Sequence, residues 1–225
     1  MADRSSHSVP VLVIGLGRFG IAVASSLIRM GHEVLGVDCD EKLVQAHADE
    51  LTQTIEADST DLDALKALGA GDFRSAVVAI GTDIEASVLT VLGLSDLGVP
   101  LIWAKATNEN HGRILHRTGA TKVVFPEQRM GERVAHLLNG RLLDFIEFDD
   151  RFALAKLLAP EPIVGITLGM SEVRRKYGVT VVGVKREDQD FIYAVPDTLV
   201  FPQDVMIVAG TIDCIERFAA VGGQR

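Results

Sequence analysis

Residues 9–20, VPVLVIGLGRFG, decide the fold, because a short apolar run leads directly into Gly15-Leu16-Gly17-Arg18-Phe19-Gly20. The run over residues 9–14 has the length of a buried strand, and residues 21–30 have the apolar spacing of a helix. Glycine at the first, third and sixth positions permits a tight turn, close approach of a phosphate and close packing of helix on strand. The context predicts a phosphate-binding loop, with a tight turn that holds no ligand as the alternative.

Beyond this stretch, strand-like and helical segments alternate along the chain. The further predicted strands fall at residues 33–37, 51–56, 75–80, 101–104 and 122–125. Such alternation specifies parallel strands joined by right-handed crossovers, with helices on both faces of the sheet. Residues 9–126 are therefore predicted to form an α/β domain, a doubly wound parallel sheet of the Rossmann type.

The pattern changes after residue 126. Residues 130–138 have an amphipathic helical pattern, and we expect residues 127–144 to form a linking helix and its connection. Residues 145–225 contain shorter strand patterns, two of which are joined as a hairpin across residues 187–190. This second part is predicted to be a small α+β domain with antiparallel strands.

The composition limits the class of protein. Of the 225 residues, 48% are hydrophobic, and 22 Lys and Arg against 31 Asp and Glu give a net charge of −9. Nucleic-acid binding needs clustered Lys and Arg to displace counterions, and this acidic charge disfavours it. The apolar runs are only of strand length and the first eight residues are polar. We therefore expect neither a membrane span nor a signal peptide, and a cytoplasmic location.

Histidine and cysteine show no spacing that predicts chemistry of their own. The six histidines have no metal-ligand spacing, and Cys39 and Cys214 lie far apart without a CxxC motif. Both cysteines are expected to be reduced thiols. No Ser/His/Asp or Cys/His set emerges either, so the sequence does not predict an enzyme.

Two charged residues near the glycine motif are candidate contacts to a nucleotide. Arg18 lies at the start of the helix, where a guanidinium can clamp a phosphate, although many such arginines are simply solvated. Asp38 ends the second strand, where an acid accepts hydrogen bonds from ribose hydroxyls and disfavours a 2′-phosphate. NAD and ATP or ADP share that ribose, so the pattern leaves them open. A cap on the next helix is the alternative for Asp38.

Asp58 and Ser59 end the third predicted strand. The carboxyl ends of parallel strands border the ligand crevice, so an adenine amino group could meet this pair. Asp58 fits equally well as the cap of the helix that starts near Leu62. The sequence does not decide between these two roles.

Ile80, Gly81 and Thr82 end the fourth predicted strand, at the same edge of the sheet. A glycine there allows the backbone to approach a nucleotide closely. We therefore include all three residues in the candidate site. Asp83, which follows them, is expected to cap a helix.

Lys105 and Glu127 follow the fifth and sixth strands, and Lys105 could meet a phosphate. Glu127 would be repelled by phosphates unless a cation such as Mg²⁺, Ca²⁺ or Na⁺ lies between them, which makes it a candidate metal contact. An acid in the first turn of the next helix is the alternative for Glu127. The candidate nucleotide site also includes Phe19 of the glycine motif and Ala106 beside Lys105.

These residues stand in segments that resemble the RCK domain, the regulator of potassium conductance. The segments are GVD (36–38), EADST (56–60), VVAIGTD (77–83), IWAKA (102–106), GATKVVFPE (119–127), MGERVAHLL (130–138), EVRRKYGVTVVGV (172–184) and PDTLVFPQDVMIVAG (196–210). The second half makes the resemblance specific, because ordinary dehydrogenases lack it. One copy of each domain is similar to KtrA-type subunits, whereas TrkA-type subunits often carry the pair twice.

The resemblance implies a cytoplasmic regulatory subunit, held at the inner face of the membrane, that controls potassium flux through a Ktr- or Trk-type membrane partner. Family members assemble as dimers into an octameric ring, and ATP, ADP or NAD(H) bound to the first domain changes the shape of that ring. In KtrA-like proteins, the nucleotide is lined by the positions of Arg18, Asp38, Asp58, Lys105 and Glu127. The same resemblance places Glu127 near a cation at the subunit interface.

Some members of the family bind cyclic di-AMP in the second domain, with an arginine placed like Arg174. The basic run Arg174-Arg175-Lys176 is present here, and a solvated helix end is the alternative for it. Gly169-Met170-Ser171 replaces a more usual polar helix entry. This chain therefore departs from the family's pattern beside that site.

Two other classes of protein share the first domain. An NAD-dependent oxidoreductase would need a substrate pocket and a proton-transfer residue, and the region after residue 126 offers no evident candidate. A redox-sensing DNA-binding regulator would need a basic helix-turn-helix domain, which the acidic composition disfavours. Both remain alternatives to the gating subunit.

Overall fold

The structure is a computed structural model in which residues 9–138, 142–148 and 151–221 are described. The chain separates into two compact units, Met1–Glu127 and Gln128–Arg225. Each unit is built around its own sheet. Among the described residues, no helix combines the length and the apolar character that crossing a membrane requires.

The first unit contains a parallel sheet with the strand order β3-β2-β1-β4-β5-β6. Its strands are β1 (Val11–Ile14), β2 (Val34–Asp38), β3 (Gln53–Glu56), β4 (Ser75–Val78), β5 (Leu101–Lys105) and β6 (Lys122–Val124). The order reverses between β1 and β4, and such a reversal opens a crevice at the carboxyl ends of the strands. The predicted doubly wound parallel sheet is confirmed.

Helices connect these strands, and most of them begin at an Asp or Asn cap. They are α1 (Arg18–Arg29), α2 (Glu41–Ala46), α3 (Leu62–Ala67), α4 (Ile84–Asp96) and α5 (Glu109–Arg117). The side chains that accept a first-turn backbone N–H are those of Asp40, Asp61, Asp83 and Asn108. The predicted cap at Asp83 is confirmed, since its carboxylate accepts from the Ala86 N–H at 3.0 Å. Helix α1 alone among the five begins without a side-chain cap.

Side chains of β1 alternate between two apolar cores, one on each face of the sheet. Leu12 and Ile14 belong to one core, whereas Val11 and Val13 belong to the other. All four side chains are buried. Coverage on both faces explains why this strand has a continuous apolar sequence instead of alternating apolar and polar residues.

The second unit contains an antiparallel sheet with the strand order β10-β9-β11-β8-β7. Its strands are β7 (Leu142–Glu147), β8 (Phe152–Leu158), β9 (Thr180–Lys185), β10 (Ile192–Tyr193) and β11 (Val205–Thr211). Its helices are α7 (Leu168–Ser171), α8 (Val173–Tyr177) and α9 (Ile212–Ala220). Buried residues such as Phe145, Met206 and Phe218 form its core. The predicted α+β unit and its β9–β10 hairpin are confirmed.

Helix α6 (Pro126–Leu138) begins at the end of the first unit and continues into the second. Within the second unit, Arg133 donates to Asp144 of β7 at 2.6 Å, and the ring of His136 stacks on Phe145 with centroids 4.3 Å apart. Most of the predicted apolar face remains exposed, at 54% for Met130, 44% for Val134 and 79% for Leu138.

Candidate nucleotide-binding site

The glycine loop joins β1 to α1, and each of its three glycines is suited to its position for a different structural reason. Gly15 has a φ of +92°, and a Cβ there would lie 3.2 Å from Ala79 C and Ile80 N. A Cβ on Gly20 would overlap the Gly15 carbonyl. At Gly17, by contrast, a Cβ would meet nothing within 4 Å. Gly15 and Gly20 are therefore needed for the fold, and Gly17 leaves space over the loop for a ligand.

The start of α1 has free backbone N–H groups that could hold an anion. No side chain caps its first turn in the described residues, and no acidic residue lies in that turn. The Ile21 N–H donates to the Gly17 carbonyl at 2.9 Å. The amides before Ile21 have no intrahelical acceptor, because the first turn of an α-helix leaves its N–H groups free. These amides and the helix dipole favour a negatively charged group.

Asp38 connects β2 to the glycine loop. One oxygen of its carboxylate accepts from the Leu16 N–H at 2.6 Å, and the other accepts from the Asp40 N–H at 2.9 Å. The cap of α2 is Asp40, which accepts from the Lys42 N–H. The alternative that Asp38 caps the helix is therefore wrong. Its half-buried carboxylate has further lone pairs that can accept from ribose hydroxyls.

Asp58 lies exposed after β3 and is also not a helix cap. It accepts from the side-chain hydroxyl of Thr60 at 2.7 Å and from the Thr60 N–H at 2.9 Å. These hydrogen bonds, the hydroxyl first, lower the pKa of the Asp58 carboxyl and keep it ionised. The cap of α3 is Asp61. The alternative capping role of Asp58 is thus wrong, and its side chain is available at the edge of the sheet.

Ser59 differs from Asp58 because its hydroxyl is turned into the protein. The residue is 7% exposed, and its Oγ lies 2.8 Å from the Thr90 Oγ1 on α4. This bond anchors the end of β3 to a helix of the same unit. The Ser59 hydroxyl is therefore engaged inside the protein, whereas the Asp58 side chain is exposed.

The segment after β4 brings Ile80, Gly81 and Thr82 beside the glycine loop. The Ala79 N–H donates to the Ile14 carbonyl at 2.7 Å, which holds the ends of β1 and β4 together. Ile80 packs against the core, and Thr82 is exposed. Gly81 lies against Lys105, since a Cβ there would be 3.0 Å from the lysine Nζ. A larger residue at Gly81 would push that ammonium group.

Lys105 at the end of β5 forms an ion pair with Glu127 in the first turn of α6. The Lys105 Nζ lies 2.6 Å from Glu127 Oε1, and the side chains are 13% and 70% exposed, respectively. The Lys105 Nζ also lies 5.8 Å from the centre of the Phe19 ring. The hydrogen bond from Lys105 is the largest cause that lowers the pKa of Glu127, and the charge of Arg18 contributes in the same direction. Lys105 and Glu127 therefore form a charged pair near the Phe19 ring of the glycine loop.

Ala106, next to Lys105 in the chain, helps to hold the end of β5 in place. It is buried, and its N–H donates to the Val124 carbonyl at 2.9 Å, which fixes β5 against β6 where both strands end. The described residues contain no group of three or more His, Cys, Asp or Glu side chains that could hold a metal ion. The predicted cation contact of Glu127 stays a prediction.

The candidate residues divide into an acidic end and a basic end. Asp38 ends β2 and Asp58 follows the neighbouring strand β3, so the two carboxylates lie on the same side of the site. Partial burial, followed by the charges of Asp38 and Asp58, raises the pKa of the Cys39 thiol. Arg18 begins α1 and Lys105 ends β5, and these two residues form the basic end. Carboxylates that accept from hydroxyl and amino groups at one end, and cations with free amides at the other, suit an adenosine that carries phosphate.

Comparisons with known proteins identify the family of both domains. Residues 11–126 match the TrkA-N domain family, and residues 152–221 match the TrkA-C domain family. Ktr system potassium uptake protein A of Bacillus subtilis (strain 168) is 37% identical over 211 residues, which cover 93% of this chain and 95% of that protein. Protein C of the Ktr system of the same organism is 37% identical over 207 residues, covering 92% and 94%.

Solved structures show the same fold at lower identity. The GsuK RCK domain has a TM-score of 0.66 at 20% identity, and covers 98% of this chain and 49% of that one. The GsuK channel bound to NAD has a TM-score of 0.64 at 20% identity, covering 98% and 40%. GsuK bound to ADP has a TM-score of 0.50 at 19% identity, covering 60% and 35%.

The family is therefore established by close relatives over nearly the full length of the chain, and the RCK resemblance seen in the sequence is confirmed. The alternatives of an oxidoreductase and of a DNA-binding regulator do not agree with this family. This chain belongs to the Ktr potassium uptake proteins A and C, a family of non-enzymatic regulatory subunits built from TrkA-N and TrkA-C domains.

Proposed function

We propose that this chain is the nucleotide-sensing subunit that controls potassium flux through a membrane partner of a Ktr system. The observation that carries the proposal is the two-ended site at the carboxyl edge of the first sheet, with carboxylates at Asp38 and Asp58 and cations at Arg18 and Lys105. Relatives that share both domains are potassium uptake proteins. We place the chain at the cytoplasmic face of the membrane, through its partner.

The proposed ligand is an adenine nucleotide, either ATP and ADP or NAD and NADH. Asp38 would accept from the ribose hydroxyls and would repel a 2′-phosphate, which argues against NADP. The phosphates would lie over Gly17, at the start of α1 and within reach of Arg18. Structures of the GsuK channel with NAD and with ADP support an adenine nucleotide on this fold.

The proposed assembly is a ring of dimers, an octamer, docked to a potassium-translocating membrane protein. Exposed apolar side chains on α6, such as Met130 and Leu138, support a role for that helix in contacts between copies. Boundaries at residues 9–126, 127–144 and 145–225 are proposed for the nucleotide domain, the linking segment and the second domain. Mg²⁺, Ca²⁺ or Na⁺ near Glu127 and cyclic di-AMP at the second domain are further proposals.

Regulation would follow from the difference in nucleotide affinity between two shapes of the assembly. A ligand shifts such an equilibrium only by that difference, and an open partner would change nucleotide affinity in return. Contacts to phosphate differ among ADP, ATP and NAD, whereas contacts to ribose are shared. Loss of Arg18 should therefore weaken the binding of ATP and ADP and uncouple gating from the nucleotide.

Potassium flux into vesicles that contain the membrane partner tests the proposal. Nucleotide should change the flux in the presence of this chain, and Arg18→Ala should remove that response because a charged hydrogen bond to phosphate is lost. Arg29→Ala, at the other end of α1, is the matched control and should respond like the native chain. A response that is unchanged in Arg18→Ala would contradict the assigned role of the loop.

A further inference from the structure

We propose that Thr90 of α4 positions Asp58 for nucleotide binding, through a buried hydrogen bond to Ser59. The inference rests on the proposed function and deepens it, because it adds a positioning residue that neither the glycine motif nor the strand ends reveal. Thr90 is 0% exposed, so its side chain is not placed to touch a nucleotide. It acts on the ligand through the turn that carries Asp58.

The turn after β3 carries Asp58 and is held together by its own hydrogen bonds. The Asp58 carboxylate accepts from the Thr60 N–H at 2.9 Å and from the Thr60 hydroxyl at 2.7 Å. The Asp61 N–H donates to the Asp58 carbonyl at 3.2 Å. These bonds fix the carboxylate relative to the turn, but they do not fix the turn relative to the sheet.

Ser59 connects this turn to a different element of the unit. Its Oγ lies 2.8 Å from the Thr90 Oγ1, and the Thr90 hydroxyl also lies 3.3 Å from the Ser59 carbonyl oxygen. Just before the turn, the Ala57 N–H donates to the Asp38 carbonyl at 3.0 Å, so the chain is held to β2 up to that residue. Beyond Ala57, the bond to Thr90 ties the turn to α4.

The two hydroxyls depend on each other because they lie beside an apolar core. Val91 and Leu94, on the same helix as Thr90, belong to that core. A hydroxyl that is buried without a partner is unfavourable, so loss of one hydroxyl favours movement of the other toward water. For Ser59 this means a shift of the turn, which would also move the neighbouring Asp58.

The position of Asp58 determines how well its carboxylate can recognise a base. The hydrogen bonds from Thr60, the hydroxyl first, lower the pKa of this carboxyl, so it accepts hydrogen bonds and does not donate them. The exocyclic amino group of adenine donates, whereas the corresponding carbonyl of hypoxanthine accepts. A well-placed Asp58 therefore favours ADP over inosine diphosphate, and a displaced Asp58 loses much of that preference.

Calorimetric titration of the full chain with ADP and with inosine diphosphate tests the inference. Thr90→Val removes the hydroxyl and should bind ADP about fivefold more weakly, with little change for inosine diphosphate. Thr90→Ser retains a hydroxyl and should restore the affinity for ADP. Ser87→Ala is the matched control, because Ser87 is also 0% exposed on α4 and its hydroxyl has no hydrogen-bond partner within the described part of the chain.

Two double variants separate positioning from stability. The variant with both Ser59→Ala and Thr90→Val leaves neither hydroxyl unpaired, so its urea unfolding should be close to that of the native chain. Its affinity for ADP should nevertheless stay about fivefold lower. In an Asp58→Ala background, Thr90→Val should cause no further loss of ADP affinity, because Thr90 acts through Asp58.

The outcomes separate this inference from the proposed function. Equal weakening of both ligands in Thr90→Val, or a further loss in the Asp58→Ala background, would show a general structural effect and overturn the positioning role. Unchanged ADP affinity in Thr90→Val, or no recovery in Thr90→Ser, also overturns it and leaves the nucleotide site standing. No binding of ADP to the native chain would remove both this inference and the proposed function.

Discussion

In the first unit all six strands run in the same direction, whereas in the second unit neighbouring strands run in opposite directions. The first arrangement brings the carboxyl ends of β1, β2, β3, β4 and β5 to one edge. Residues at or just after the ends of those strands, such as Asp38, Asp58 and Lys105, therefore lie along one edge of the sheet although they are far apart in the sequence. In the second unit, strand ends alternate between two edges, and sequence order does not gather a site there.

Strand direction explains why chemistry could be assigned to one half of the molecule and only a fold to the other. Parallel topology converts a list of strand ends into a spatial neighbourhood. Antiparallel topology determines which strands pair and which residues are buried, as for Phe145 and Met206. It does not predict which residues lie near Arg174. Substitutions in each unit test whether the two units carry separate roles.

The largest effect is expected at the glycine loop of the first unit. Gly20→Ala should destabilise that unit by about 3 kcal/mol or more, because a Cβ would overlap the Gly15 carbonyl, which neither the strand nor the helix can move easily. Gly17→Ala should leave the stability within about 0.5 kcal/mol and weaken nucleotide binding instead. Urea unfolding and ADP titration of both variants measure the two quantities. Equal stability of Gly20→Ala and the native chain would contradict the packing argument.

A change in the second unit should affect stability without affecting the nucleotide. Asp204 is 2% exposed and accepts from Arg186 at 3.3 Å and from the Phe201 N–H at 2.9 Å, while Arg186 also donates to the Leu199 carbonyl. Asp204→Ala removes these acceptors and should lower the free energy of unfolding by about 2–3 kcal/mol. The loss is smaller than for a fully buried ion pair, because part of the Arg186 side chain is in contact with water. Thermal unfolding with parallel ADP titration checks this. A large loss of ADP affinity in the folded variant would show that the units are not separate in function.

Much of the fold and part of the site could be predicted from sequence. Continuous apolar runs, with glycines at the turns between them, identified the strands. The ends of those strands identified Asp38, Asp58 and Lys105. The bond from the Leu16 N–H to Asp38 could not be predicted, because it depends on the path of the loop. The buried bond between Ser59 and Thr90 could not be predicted either, since a serine at a strand end can face either way.

The ion pair between Lys105 and Glu127 was also missed, although a signal existed. Each residue follows a strand, the two strands are neighbours in this topology, and their charges are opposite. Considering each residue alone gave a phosphate contact and a metal contact. Considering them as neighbours would have suggested the bond that the structure contains.

A smaller effect distinguishes two aspartates that are close in sequence. Asp61→Ala should lower the stability of the first unit by about 1 kcal/mol, because it removes the cap of α3, and should leave nucleotide affinity unchanged. Asp58→Ala should instead weaken adenine-nucleotide binding several-fold, with little loss of stability. Chemical unfolding and calorimetry of the pair would sharpen the assignment. The reverse pattern would return Asp58 to a purely structural role.

The smallest effect concerns the pH dependence of the first unit. Burial lowers the pKa of His111, which is 1% exposed, below the usual value of 6.5. The unfolded chain therefore takes up the proton first as pH falls, so stability is full above pH 6.5 and declines below it. This residue should cost less than about 0.7 kcal/mol between pH 7 and 6. His111→Leu should flatten that decline in urea unfolding, and an unchanged slope would exclude His111 as its source.

The most direct test of the central claim is calorimetric titration of the native chain and Arg18→Ala with ATP, ADP, NAD and NADH, with and without Mg²⁺ or Ca²⁺. We expect micromolar binding of adenine nucleotides to the native chain and a loss of about tenfold or more in Arg18→Ala, because a charged contact to phosphate is removed. Equal affinities in the two proteins, or no binding to the native chain, would contradict a nucleotide site at the glycine loop.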